Sequence, residues 1–162
     1  MKRIAFFTVS VMVLISACVT NQPIKRIPKK DLLDIIDKNF TDAAAQYKVM
    51  MAKLPADRFP KTYHDSSQKL ETSNSGWWCS GFYPGSLLYL YEQTRDTALY
   101  IEAMRILEPL KKEQFNTTTH DLGFMMYCSF GNANRLQPKP EYRDIFINSA
   151  KSLSTRFNPA VG

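Results

Sequence analysis

The sequence predicts an all-α fold, on three observations. Apolar residues recur at helical spacing along most of the chain, and no stretch alternates apolar and polar residues as a half-buried strand would. The helical segments also alternate in character, those at 84–93 and 122–136 being more apolar than those at 97–112 and 141–157. Such alternation is that of inner helices wrapped by outer ones, and about five helices would build only part of a closed ring.

Each element has its own signals. Leu33, Ile36, Phe40, Ala44, Tyr47, Met51 and Leu54 share one face of a helix of about six turns, with Asp31 as its cap and Pro55 as its stop. Residues 56–76 then turn polar and irregular, too long for a simple connection, and read as a functional or surface loop. A second helix is expected from Pro84, since proline suits a first turn, and Arg95 and Asp96 break it. Asp96 or Thr97 caps the third, whose Leu99, Ala103, Ile106 and Leu110 face one way and whose end Pro109 shortens. The fourth, from Asp121 through "LGFMMYCSFGNANRL", is apolar on nearly all sides and is expected to be buried more completely than its neighbours, until "QPKP" ends it. The fifth sets Tyr142, Ile145, Phe146, Leu153 and Phe157 on one face.

Length and composition bound the function. The chain has 162 residues, 44% hydrophobic and 22% charged, enough for one domain with a substantial core. Its formal net charge of +6 is spread over many short segments, and two of the positive charges, Lys2 and Arg3, sit at the very start, which argues against a nucleic-acid partner. That start has the form of a secretory leader over residues 1–17: a basic front, an apolar run from Ile4 to Ala17 too short for a comfortable span, and small residues at its end. The small residues of "ISAC" directly before Cys18 resemble the lipobox of bacterial lipoproteins, in which that cysteine is diacylated. The expected organisation is a leader at 1–17, a tether at 18–30 and a globular part at 31–162. The expected address is the bacterial cell envelope, lipid-anchored through Cys18; no acidic cluster follows that residue, so the periplasmic face is favoured. Cys79 and Cys128 both lie in apolar stretches, which favours two buried free thiols over a disulfide.

Two stretches carry candidate chemistry. In "HDLGF", residues 120–124, Asp121 is placed to cap a helix, its carboxylate accepting backbone N–H groups, and a carboxylate so held also suits positioning or electrostatic work. In "GWWCSGFYPGS", residues 76–86, two adjacent tryptophans cannot both point into the core from one element. Either both fill core by other means or one is left on a cavity wall, where an indole face stacks on a sugar ring. His64 and His120 have no spacing that suggests a metal site, and glycine loops for phosphate, nucleophile-elbow and dinucleotide signatures are absent, so no cofactor or metal is expected.

Taken in order, "WWCSGFYPGSLLYLYEQTRD", "THDLGFMMYCSFGNANRL" and "AKSLSTRFNPAVG" resemble the unsaturated glucuronyl hydrolases of glycoside hydrolase family 88, over roughly residues 30–162. The resemblance implies an (α/α)6 toroid of the six-hairpin glycosidase type, here an incomplete N-terminal part of about five helices. It implies hydration of the 4,5-double bond of the terminal unsaturated uronic acid on lyase-generated oligosaccharides. In that reaction a proton reaches C4, water adds at C5, and the resulting hemiketal rearranges and releases the rest of the sugar. It also implies site roles: Asp121 as the first essential aspartate, His120 as a substrate contact, and Trp78 as the indole stacked on the unsaturated ring, with Trp77 left to packing. The family's second aspartate, its general acid and base, is expected past the segment matching "STRFNPAVG", so this chain is expected to be inactive alone. Two other readings stay open: a non-catalytic helical envelope lipoprotein that binds oligosaccharide, and the related unsaturated rhamnogalacturonyl hydrolases.

Overall fold

The computed structural model describes residues 28–161. The expected leader, Cys18 and most of the tether lie outside the described residues. Contacts divide the chain into a unit of residues 1–33, described only from residue 28 as the entry to the first helix, and a unit of residues 34–162.

Helix α1 runs Lys30–Met51 and is followed by a hairpin of β1, Phe59–His64, and β2, Lys69–Ser73. Helices α2, Phe82–Thr94, and α3, Thr97–Leu110, come next, and a 3-10 segment at Lys111–Phe115 extends α3. Helix α4, Leu122–Met126, runs through a π-helical turn, Tyr127–Gly131, into α5, Asn132–Leu136, and α6 spans Pro140–Ser154. No helix among the described residues is long and apolar enough to cross a membrane.

The boundaries follow the local chemistry. Arg95 ends α2 in the left-handed region at φ 61°, and the Asp96 side chain accepts the Ala98 N–H at 3.0 Å, so Asp96 rather than Thr97 caps α3. Beyond Pro109 the α-helix stops at Leu110 and tightens into 3-10 geometry, as a late proline requires. Leu99, Ala103, Ile106 and Leu110 are all fully buried, and with Leu87, Leu88, Leu122 and Met125 they form the centre of the core.

Helix α2 can pack closely because of two glycines one turn apart. A Cβ at Gly81 would lie 2.2 Å from the carbonyl oxygens of Phe124 and Met125, and one at Gly85 would lie 2.4 Å from that of Cys128. The backbone of α2 therefore rests directly on α4 and the π turn. That turn is stabilised from within: Ser129 Oγ donates to Met125 O at 2.5 Å, and Asn132 Nδ2 to Cys128 O at 2.8 Å. A second seam joins α2 to α3, where Tyr83 Oη donates to Glu102 Oε1 at 2.9 Å and Arg105 donates to both oxygens of that buried carboxylate at 2.7 Å.

Three expectations change. The polar stretch at 56–76 is no irregular loop but an antiparallel hairpin, whose register runs from Phe59 opposite Ser73 to His64 opposite Lys69. Only Phe59 on β1 is buried, so neither face shows the alternation that marks a strand in sequence. The segment at 122–136 is less covered than expected: α2 packs on one flank and α6 on another, while Gly123, Phe124 and Tyr127 face outward. Phe157 is exposed because α6 ends three residues earlier and its helical register with it.

Candidate active site

The sequence-predicted residues converge where the turn before α2 meets the start of α4. Residues 74–82 wind through successive tight turns, with Trp77 N donating to Asn74 O, Ser80 N to Trp77 O and Phe82 N to Cys79 O. A buried carboxylate anchors this stretch: Ser75 Oγ donates to Glu113 Oε1 at 2.6 Å, and Asn116 Nδ2 holds the other oxygen at 2.8 Å. So fastened, the turn leaves both indoles on the surface. Trp77 is 38% and Trp78 41% exposed, and the pair lies 6.5 Å apart between centroids.

Trp78 does not stand alone. Phe82 meets it edge-on at 5.9 Å and Phe124 at 6.3 Å, and these two phenylalanines, 39% and 49% exposed, are 5.8 Å from each other. The three rings make a continuous apolar wall of the kind that holds the face of a pyranose. Its assembly depends on Gly81, since any side chain there would push Phe82 and Trp78 away from Phe124. Among the sequence signals, the glycine pair at 81 and 85 and the phenylalanine inside "HDLGF" mark this wall, yet Phe82 and Phe124 declare themselves only once α2 and α4 are docked.

Asp121 stands one helical turn before Phe124. It is the residue preceding α4, but its carboxylate makes no capping bond, which corrects the expectation that it would accept backbone N–H groups. The reason is conformational. Its backbone, at φ −88° and ψ 12°, is not the extended form that aims a cap side chain at the first turn, and its own N–H is taken by Thr119 Oγ1 at 3.0 Å. The carboxylate instead lies 3.5 Å from His120 Nε2 and 3.4 Å from Thr119 Oγ1, with 22% of the side chain exposed. It is an acceptor left available at the edge of the aromatic wall. His120 is itself 81% exposed and stands at the rim.

The Cys79 thiol lies between Trp77 and Asp121 and feels both. Burial pushes its thiol above the usual value; a hydrogen bond with Trp77 pulls it back in part, and the negative charge of Asp121 adds to the rise. Cys128 is raised by burial as well; both thiols are free, though each is only partly buried.

His64 is elsewhere, at the end of β1, with Nε2 3.0 Å from Glu71 Oε2. Trp77 is not the packing residue expected: its ring is half open, and Lys61 Nζ sits 4.9 Å from its centroid. Among the described residues no group of His, Cys, Asp and Glu could hold a metal ion.

No protein-family model matches the chain. Over 115 residues it is 34% identical to the unsaturated glucuronyl hydrolase of Formosa agariphila, the aligned part being 70% of this chain and 29% of that protein. The crystal structure of an unsaturated glucuronyl hydrolase specific for heparin is similar at a TM-score of 0.72 and 34% identity, over 79% of this chain and 34% of that one. A further crystal structure, of the unsaturated glucuronyl hydrolase responsible for glycosaminoglycan degradation in Bacillus sp. GL1, is similar at 0.56 and 26% identity, over 62% of this chain and 27% of that one. The chain therefore spans about a third of the length of the relatives it matches, and its helices correspond to part of their all-α toroid.

Proposed function

This chain belongs to glycoside hydrolase family 88, the unsaturated glucuronyl hydrolases, and we propose that it supplies the ring-stacking wall and one catalytic carboxylate of a site for terminal 4,5-unsaturated uronic acids. The observation that carries this reading is the wall of Trp78, Phe82 and Phe124 set beside a carboxylate that no helix cap consumes. Trp78 stacks on the flat unsaturated ring, and Asp121 accepts hydrogen bonds from its hydroxyls and orients it. His120 at the rim contacts the uronide. Proton delivery to C4 and activation of the water that adds at C5 call for a second acid and base in addition to Asp121. The chain by itself binds without turning over.

The test is titration of the full chain with a lyase-generated unsaturated disaccharide, followed by calorimetry and by the ultraviolet band of the conjugated double bond. Binding is expected with no loss of the band. Trp78→Ala is expected to weaken binding by about tenfold or more, as loss of a stacked indole does. Unchanged affinity in Trp78→Ala would sink the proposal, and steady loss of the band with wild-type chain would overturn the division of labour.

The envelope address is proposed on the "ISAC" stretch, with Cys18 carrying the lipid on the periplasmic side of the bacterial membrane. Incorporation of labelled fatty acid that is lost in Cys18→Ser is the expected result, and equal labelling of both forms would refute it.

A further inference from the structure

Trp78 and Asp121 sit on two stretches that no regular element holds, the turns after β2 and the loop that enters α4, and a third stretch bonds to both. Pro109 ends α3 and sends the chain into the 3-10 segment Lys111–Phe115, which carries Glu113. This side chain is buried, and each of its oxygens serves one stretch: Oε1 accepts from Ser75 Oγ at 2.6 Å, and Oε2 accepts from Asn116 Nδ2 at 2.8 Å. Fixing the amide nitrogen of Asn116 also aims its oxygen, which accepts from Thr118 N at 2.8 Å and from Thr118 Oγ1 at 2.7 Å. Thr119, the next residue, takes the Asp121 N–H and faces its carboxylate. Side-chain bonds therefore lead from one oxygen of Glu113 to the turn of Trp78 and from the other to the loop of Asp121. The segment is itself held from behind, where Gln114 O accepts from Ser152 Oγ at 2.7 Å and Gln114 Oε1 from Asn148 Nδ2 at 2.8 Å, both donors lying on α6.

From this arrangement we infer that Glu113 is a positioning residue, which sets the separation between the stacking face of Trp78 and the carboxylate of Asp121. The inference rests on the proposed uronide site. A ring stacked on the indole meets Asp121 only while the two loops keep their register, and a displacement of about 1 Å is enough to spoil such a two-point contact. A carboxylate suits the task because it offers an acceptor on each side, one for each loop, and burial keeps water from replacing either donor. Glu113 touches no sugar itself and acts through Ser75 and Asn116.

Calorimetric titration of the full chain with an unsaturated disaccharide tests this, alongside circular dichroism of the coupled indoles of Trp77 and Trp78, whose centroids are 6.5 Å apart. Glu113→Ala is expected to weaken binding by about tenfold. Glu113→Gln, in which the Ser75 hydroxyl can turn to accept from the new amide, is expected to restore part of the affinity. Ser75→Ala and Asn116→Ala each cut one arm and are expected to weaken binding by about threefold to tenfold. Only Ser75→Ala should alter the indole signal, and the double variant should bind no more weakly than Glu113→Ala. Leu99→Ala destabilises the core without touching either loop, and at a temperature where it is folded its affinity should equal that of the wild type. Wild-type affinity in Glu113→Ala, or in both Ser75→Ala and Asn116→Ala, overturns the inference while a weakened Trp78→Ala leaves the uronide site standing. Equal losses in Leu99→Ala and Glu113→Ala would also overturn it, since Glu113 would then serve only the fold. Unchanged affinity in Trp78→Ala would instead remove the uronide site, and the positioning role with it.

Discussion

Helix α2 borders two regions built from the same residue types to opposite ends. Toward α3 its aromatic and aliphatic side chains are closed in: Tyr83, Leu87, Leu88 and Leu90 are buried, Tyr83 stacks on Tyr47 of α1 with centroids 6.0 Å apart, and the buried carboxylate of Glu102 is satisfied by Tyr83 and Arg105. Toward the turn that precedes it, Phe82 joins Trp78 and Phe124 in a wall that stays half exposed, beside a carboxylate with no backbone partner of its own. The closed region spends its polar groups on the fold. The open one leaves the Asp121 carboxylate without a backbone bond, as the proposed binding surface requires and a core of equal apolar content would not tolerate.

The contrast makes ordered predictions. Leu99→Ala, at the centre of the closed region and fully buried, is expected to cost about 3 kcal/mol of unfolding free energy in a urea titration, through the lost transfer energy and the cavity together. A cost under about 1 kcal/mol would mean that this core is loosely packed. Gly81→Ala comes next, at about 2 kcal/mol, because the new Cβ meets two carbonyl oxygens rather than a yielding side chain. It should also weaken uronide binding, since it separates Phe82 from Phe124. Glu102→Gln is expected to cost about 1–2 kcal/mol: the amide keeps the shape but loses the charge that Arg105 faces, and Arg105 is partly open to water.

Phe124→Ala sharpens the comparison from the open side. Being half exposed, it should change stability by less than about 1 kcal/mol while clearly weakening disaccharide binding; a large stability loss would make the wall a piece of core. The smallest effect concerns acid. The hydrogen bond from Lys48 holds the Asp96 carboxyl below its usual value of 3.8, and the Ala98 N–H adds to it. A depressed folded-state value gives stability that is present above 3.8 and lost as pH falls through the lower, folded-state value. Asp96→Asn, which retains a capping oxygen but loses the charge, should therefore lower the neutral plateau of the stability profile slightly, flatten its acid limb by the same amount and leave stability below the folded-state value nearly unmoved.

The helical segments, and the face each buries in α3, were legible because a buried stripe repeats every third or fourth residue and the break at Arg95 and Asp96 carries its own chemistry. The hairpin was not, since a strand exposed on both faces has no pattern to read and its Pro60 argues against pairing until the bulge is seen. Asp121 and Trp78 could be singled out from their motifs, and the pattern around them carried the resemblance to the hydrolases. The aromatic wall could not be assembled in the same way. Phe124 lies more than forty residues from Phe82 in the chain, and only the close approach permitted by Gly81 brings their rings to 5.8 Å.

Local spacing and side-chain chemistry alone determined that this protein is helical, where most of its helices start and stop, and which carboxylate and which pair of indoles to watch, while the family resemblance chose Trp78 between the two. Tertiary structure decided what those groups are free to do. Whether Asp121 caps a helix depends on its backbone angles and on Thr119, and whether Trp77 fills core or stays half exposed depends on the tight turns that Glu113 fastens through Ser75. Both outcomes rest on contacts between distant segments, where packing selects among conformations that the local sequence leaves close in energy.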